Sequence, residues 1–159
     1  MLLIRNARVE DVPLLRVFIR ELAAFERELE FCLIEEADLL QDGFGASPRF
    51  CALIAEWDGQ PVGYALFFGC YSTWRGPGLF LEDLFVRKEF RGKGIGKALL
   101  SSVASIAVQQ NCYGMQWEVL DWNTPAIEFY KSLGVEFRDQ WRPVLLADEA
   151  LRRLAEQAS

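Results

Sequence analysis

Arg91-Gly92-Lys93-Gly94-Ile95-Gly96-Lys97 is the stretch of this chain best suited to chemistry. It follows the apolar run Leu79 to Val86 and precedes a segment with helical apolar spacing. Glycines at a strand-to-helix junction let the backbone approach a ligand closely, and the free N–H groups of the new helix favour an anion such as a phosphate. Arg91 and Lys93 add positive charge at the same place. Glu82-Asp83 interrupts the preceding apolar run, and a carboxylate in a buried strand is costly unless it is paired or hydrogen-bonded. Strand alternation sends the two acids to opposite faces. For Asp83, a structural salt bridge with an arginine and a functional role remain equally open. Glu82 reads as functional, on a strand that leads toward the glycine loop. Taken alone, Tyr130 reads as a half-buried core tyrosine.

Spacing excludes two common owners of a phosphate cradle. A dinucleotide fingerprint needs Gly-x-Gly-x-x-Gly, whereas the glycines here stand at 92, 94 and 96. A nucleotide P-loop needs a glycine five positions before its Gly-Lys pair and a Ser or Thr after it, but Gly96-Lys97 has Arg91 before it and Ala98 after it. The absence of histidine removes every Ser-His-Asp or Cys-His triad and every histidine-ligated metal site. The general base is therefore a carboxylate, a perturbed lysine, tyrosine or cysteine, or a water held by one of them. The four cysteines have no metal-like spacing, so no metal is expected; they read as reduced, packed thiols of a cytoplasmic protein.

The elements that must position these residues follow from periodicity. Leu2 to Ala7 reads as a strand, and helical spacing from Glu10 runs through Leu14, Leu15, Phe18, Ile19, Leu22 and Phe25. Ile34 to Leu40 reads as a second helix ended by Asp42-Gly43-Phe44-Gly45. Phe50 to Trp57 and Val62 to Tyr71 are strands joined across Asp58-Gly59, a hairpin signal, and Leu79 to Val86 is the next strand. A helix follows the glycine loop, then a strand over Met115 to Leu120. Thr124-Pro125 caps and starts a helix that stops at Gly134. Strands near Val135 and Pro143 to Leu146 and a terminal helix from Asp148 complete the chain. At 159 residues this is one domain, an α/β sandwich around a mixed sheet. No apolar run approaches the ~20 residues of a membrane span, and the start is too short for a signal-peptide core. A net charge of −6 argues against nucleic acid and suits a cationic substrate.

Two motifs together carry a resemblance. Arg91, Gly94 and Gly96 fill Arg/Gln-x-x-Gly-x-Gly/Ala, and Asn123, Ala126, Phe129-Tyr130 and Gly134 fill Asn-x-x-Ala-x-x-Phe-Tyr-x-x-x-Gly. In this order, with one strand between them, they resemble the GNAT acyl-CoA N-acyltransferases. Glu21-Leu22-Ala23, Asp42-Gly43-Phe44-Gly45, Leu81-Glu82-Asp83, Trp122-Asn123 and Phe129-Tyr130-Lys131 are similar to the spermidine/spermine N-acetyltransferase branch over nearly the whole chain. The resemblance implies a GNAT fold, with a mixed, mostly antiparallel sheet flanked by helices. It also implies acetyl-CoA as donor, a small amine as acceptor, and a homodimer.

By the same resemblance, the backbone of Leu84, Phe85 and Val86 holds the thioester and pantetheine. Arg91, Gly92, Lys93, Gly94, Ile95, Gly96 and Lys97 form the pyrophosphate loop, and Asn123, Thr124, Pro125 and Ala126 help bind the cofactor. Tyr130 matches the acid that protonates the departing thiolate. Glu82 matches the carboxylate that draws off the amine proton through water. Phe25, Glu26, Glu82, Trp74, Glu118 and Asp139 fall among the acceptor-binding positions. Two departures bear on the acceptor: the polyamine enzymes have an acid where this chain has Ser72 and a tyrosine where it has Phe25. A shorter or zwitterionic amine, such as a lysine or thialysine side chain, is then as good a candidate as a polyamine. The rival expectations are acetylation of a peptide amino terminus or drug amine, and a non-catalytic acyl-CoA-binding module.

Overall fold

In the computed structural model, which describes residues 1–158, the chain divides into a compact unit over Met1–Leu120 and a second beginning at Asp121. The first unit is built on a five-stranded sheet in the order β1-β2-β3-β4-β5. Its strands are β1 (Leu2–Asn6), β2 (Cys51–Trp57), β3 (Gln60–Ser72), β4 (Gly76–Val86) and β5 (Met115–Gln116). The first four pair antiparallel and β5 joins β4 in parallel, so the sheet is mixed as expected. Its helices are α1 (Val12–Phe25), α2 (Glu36–Phe44) and α3 (Ile95–Gln109). The β2–β3 hairpin closes through Asp58 and Gly59, both at positive φ (50° and 80°), the conformation that the Asp-Gly pair favours.

The two faces of the sheet have different covers. Ala52, Ile54, Tyr64, Leu66 and Phe85 form one core cluster with Val12, Leu15 and Phe18 of α1 and Leu39 of α2. α3 packs on the sheet with Ile95, Leu99 and Val103 buried, none of them in that cluster. The periodic apolar stripe of each helix supplies these contacts, and burying such a stripe on a sheet is what stabilises a layered α/β unit.

The pairing of β3 with β4 breaks register at one point. Leu66 pairs with Asp83 and Phe67 pairs with Leu81, leaving Glu82 as an extra residue in β4. Paired residues share a face and Leu66 and Phe67 face opposite ways, so Leu81 and Asp83 lie on opposite faces although they are two apart. A β-bulge at Glu82 thus interrupts the alternation between Leu81 and Asp83, and Asp83, paired with Leu66, lies on the α1 side. The ladder between β4 and β5 stops after Phe80 and Gln116, so Leu81 to Val86 forms no ladder with β5.

Four boundary expectations are corrected. α1 starts at Val12 after a single tight turn over Val9–Asp11. α2 runs through Asp42 and Gly43 to Phe44; its start at Glu36 is set by a reciprocal cap between Glu35 and Asp38, which leaves Ile34 outside. The strand expected over Met115 to Leu120 is only Met115–Gln116. In the second unit, α4 (Thr124–Lys131) and α5 (Asp148–Ala155) form, but no strand forms near Val135 or at Pro143 to Leu146. Val144 and Leu145 are 93% and 88% exposed, so their β-propensity is not supported by burial on a sheet. α4 is capped by Asn123, whose side chain accepts the Ala126 N–H at 3.4 Å, with Thr124 already inside the helix.

Candidate functional site

The glycine loop has the backbone its sequence demands. Gly92 and Gly94 both sit at φ 77°, a region that side chains with a Cβ avoid, and Gly94 is the residue from which α3 starts. A Cβ placed on either glycine would meet nothing within 4 Å, so the loop borders open space. Gly94 has no side chain with which to cap α3. The first N–H groups of the helix, on Ile95, Gly96 and Lys97, have no intrahelical acceptor by construction. An anion lodged there would be met by free donors and by the positive end of a fifteen-residue helix. Gly96 carries no such strain; its Cβ would be in ordinary contact with Val86 at 3.9 Å.

The basic side chains of the loop are held on aromatic faces. The Arg91 guanidinium lies 4.8 Å from the Phe25 ring centre, and its Nε donates to the Val86 carbonyl at 2.8 Å. One of the backbone groups expected to meet the pantetheine is thus engaged by the loop's own arginine. The Lys93 ammonium lies 5.0 Å from the Trp57 ring and 5.3 Å from Phe90. A cleft of about 560 Å³ opens beside this loop, lined by Glu21 and Phe25 of α1, Phe85, Arg87, Lys88, Glu89 and Arg91. Arg87 braces it, donating to both Glu21 carboxylate oxygens at 3.0 and 2.8 Å and stacking over Phe18 at 4.8 Å.

The acids gather near the bulge. Partial desolvation, then the charges of Asp83 and Glu118, raise the Glu82 carboxyl above its ordinary range. Desolvation, then Asp83, Glu28 and Glu82, do the same to Glu26. Asp83 is raised by burial, and a hydrogen bond from Tyr64 Oη at 2.7 Å opposes that shift. Its hydrogen-bond partner is therefore a neutral tyrosine on the adjacent strand, not the arginine of the salt-bridge alternative. Tyr64 is fully buried and stacks on Phe18 at 5.7 Å, and burial pushes its phenol well above the usual range. Among the described residues, no salt bridge reaches Glu26, Glu82, Asp83 or Glu118. Four neighbouring carboxyls without a cation of the protein make a strongly negative site suited to an ammonium ligand.

The sequence did not single out Tyr64. Its signal is a tyrosine in a buried strand, which must find a partner for its hydroxyl. Trp74 is 85% exposed in the β3–β4 turn, where Ser72 Oγ accepts the N–H groups of Trp74 and Arg75 at 3.2 Å each. In the second unit Tyr130 is buried with its ring 5.4 Å from Phe129, and Asp139 is exposed. No group of three or more acidic or sulfur side chains among the described residues is placed to hold a metal ion.

Comparison with known proteins agrees with this geometry. The sequence model described as "Acetyltransferase (GNAT) family" matches residues 16–135. The chain belongs to the GNAT acetyltransferase family. It is 39% identical to the thialysine N-epsilon-acetyltransferase of Sus scrofa over 164 aligned residues, 96% of each chain. It is also 39% identical to the human spermidine/spermine N(1)-acetyltransferase-like protein 1, over 82% of this chain and 20% of that one. Among solved structures, an aminoglycoside N-acetyltransferase in complex with CoA superposes with a TM-score of 0.72 at 22% identity, over 94% of this chain and 95% of that one, a likeness of fold. The GNAT fold and N-acetyltransferase class expected from the sequence therefore hold.

Proposed function

We propose that this GNAT enzyme transfers an acetyl group from acetyl-CoA to a primary amine of a small cationic or zwitterionic acceptor, of the polyamine, diamine or lysine/thialysine kind. The observation that carries this reading is the uncompensated acid set at the β4 bulge, Glu26, Glu82, Asp83 and Glu118, in the same unit as an open anion cradle. The thialysine-acting relative, aligned over 96% of its length, supports an amino-acid or diamine acceptor.

The residues present suit acetyl-CoA. Residues 92 to 97 offer the pyrophosphate glycine backbone and free N–H donors, with Arg91 beside them. Leu84 to Val86 lie along the stretch of β4 that β5 leaves open, and their backbone groups, apart from the Val86 carbonyl held by Arg91, are the ones we assign to the pantetheine and thioester. Asn123 to Ala126 adds a further cofactor contact. When bound, acetyl-CoA supplies a thioester carbonyl as electrophile.

The chain's own residues manage the protons. An alkylammonium resembles lysine, with pKa ~10.4, so only about one molecule in a few thousand is nucleophilic at neutral pH. The acids collect the cation, and Glu82, raised toward the working range, takes the amine proton through a water. Tyr130 gives its phenolic proton to the departing thiolate, whose reference pKa is near ~8.5. Phe25, Glu26, Trp74, Glu118 and Asp139 contact the acceptor.

We further read the chain as one catalytic domain, since the family match runs from residue 16 to residue 135, from the first compact unit into the second. A homodimer would cover the exposed Trp141, Val144 and Leu145. Four free thiols suit a reducing cytoplasm, and no helix among the described residues is long and apolar enough to cross a membrane. The deciding experiment is free-thiol release from acetyl-CoA with a panel comprising diamines, lysine, thialysine, an aminoglycoside and a peptide amino terminus. Turnover confined to the last two would overturn the acceptor class.

A further inference from the structure

Asp83 lies on the floor of a second cleft, about 230 Å³, between α1, the segment after it and β4. Ile19, Leu22, Ala23 and Phe31 give this cleft apolar walls, and Glu26 and Glu28 add two further acids. Among the described residues, the hydrogen bond to the Asp83 carboxylate comes from Tyr64, which donates from Oη to Oδ2 at 2.7 Å. Tyr64 cannot adjust, because its ring is fully buried, parallel to Phe18 within 6° and tilted on Phe85 at 6.3 Å. One carboxylate oxygen is thereby fixed by a rigid donor while the group keeps its place in the cleft lining. A buried carboxylate with a neutral partner lacks its counter-charge, and a ligand cation would supply it.

We propose that Tyr64 is a positioning residue that holds Asp83 as the counter-charge for a second, non-reacting cation of the acceptor, with the connecting alkyl chain along the apolar walls. The inference rests on the functional reading above, in which Glu82 serves the reacting nitrogen. Two different carboxylates suit two different tasks. An acid bound to the reacting ammonium would stabilise its proton and oppose attack, so the anchoring charge belongs to the far nitrogen. Asp83 pairs with Leu66 of the core beneath α1, while Glu82, the extra residue of the bulge, has no partner in β3.

The test compares two acceptors that differ in one charge, 1,3-diaminopropane and n-propylamine, on wild type, Tyr64→Phe and Asp83→Asn. Tyr64→Phe keeps both ring stacks and removes only the hydroxyl. Wild type is expected to show a KM about 10-fold lower for the diamine, the effect of roughly one well-placed charge pair. Both variants should lose that preference through a higher diamine KM, and Tyr64→Phe, which keeps every carboxyl, should leave kcat and the propylamine KM near wild type. A purely structural role for the pair would instead lower kcat for both amines together. An equal fall of that kind, or a diamine preference retained in both folded variants, would overturn the inference alone. A wild type that releases no thiol with any amine would overturn the functional reading on which it rests.

Discussion

Arg91 donates its Nε–H to the Val86 carbonyl at 2.8 Å, which ties the first residue of the glycine loop to the last residue of β4. The same guanidinium covers Phe25 at the end of α1. One side chain thus links the strand end, the helix end and the anion cradle. Arg91→Met would keep much of the aliphatic stem and lose the bond and the charge. The expected result is acetyl-CoA binding weakened about 10-fold, roughly the ~1.4 kcal/mol of one charge-assisted hydrogen bond, measured by titration calorimetry. Unchanged affinity in the folded variant would show that the clamp does not shape the cradle.

Tyr130 is a buried ring beside Phe129 near the end of α4. In the proposed mechanism its hydroxyl protonates the leaving thiolate and its ring only packs. Tyr130→Phe should therefore lower kcat by about 10²–10⁴-fold and leave acetyl-CoA affinity near wild type. Single-turnover kinetics with a fixed amine separates this outcome from a binding defect.

The raised acids have a consequence for stability. Burial raises Asp83, so its folded state binds a proton more readily than its unfolded state does. By linkage, its contribution to stability is fully present below the unfolded value near ~4 and is lost as pH rises through the raised folded value. Asp83→Asn keeps an oxygen that accepts the Tyr64 hydroxyl and removes the charge. At pH 7 the variant should melt about 2–4 °C higher than wild type, as ~1 kcal/mol gives in a protein of this size. Below pH 4 the difference should vanish. Equal melting temperatures at both pH values would remove the argument that this acid is kept at a cost to the fold.

The exposed apolar segment of the second unit bears on assembly. Trp141, Val144 and Leu145 are 65%, 93% and 88% exposed in a single chain. Contiguous apolar side chains of this kind mark an interaction surface, and a symmetric second copy is the partner proposed here. Wild type should sediment as a dimer at micromolar concentration, and the double variant Val144→Asp, Leu145→Asp as a monomer. A monomeric, fully active wild type would contradict the assembly.

Much of the site was legible because its residues obey local rules. Gly92 and Gly94 are required by their own positive φ, and Asp58-Gly59 by its own turn, so no distant partner was needed to read them. The Glu82 bulge was not legible, since it exists only in the register between β3 and β4. The Tyr64–Asp83 bond crosses two strands and was hidden for the same reason. The strands read at Val135 and at Pro143 to Leu146 came from apolar, β-branched content alone. Such content does not say whether a strand partner exists, and neither segment forms a strand.

The central claim is that Glu82 draws off the proton of an amine acceptor, and the pH–rate profile of Glu82→Gln against wild type tests it most directly. Desolvation and the neighbouring charges of Asp83 and Glu118 raise the Glu82 carboxyl, so wild-type activity should fall on the acid side as that group takes up its proton. The folded variant should be slowest relative to wild type near neutral pH and recover at high pH, where the free amine needs no base. Two parallel profiles, offset by one constant factor across the range, would contradict the account and leave Glu82 as an electrostatic anchor only.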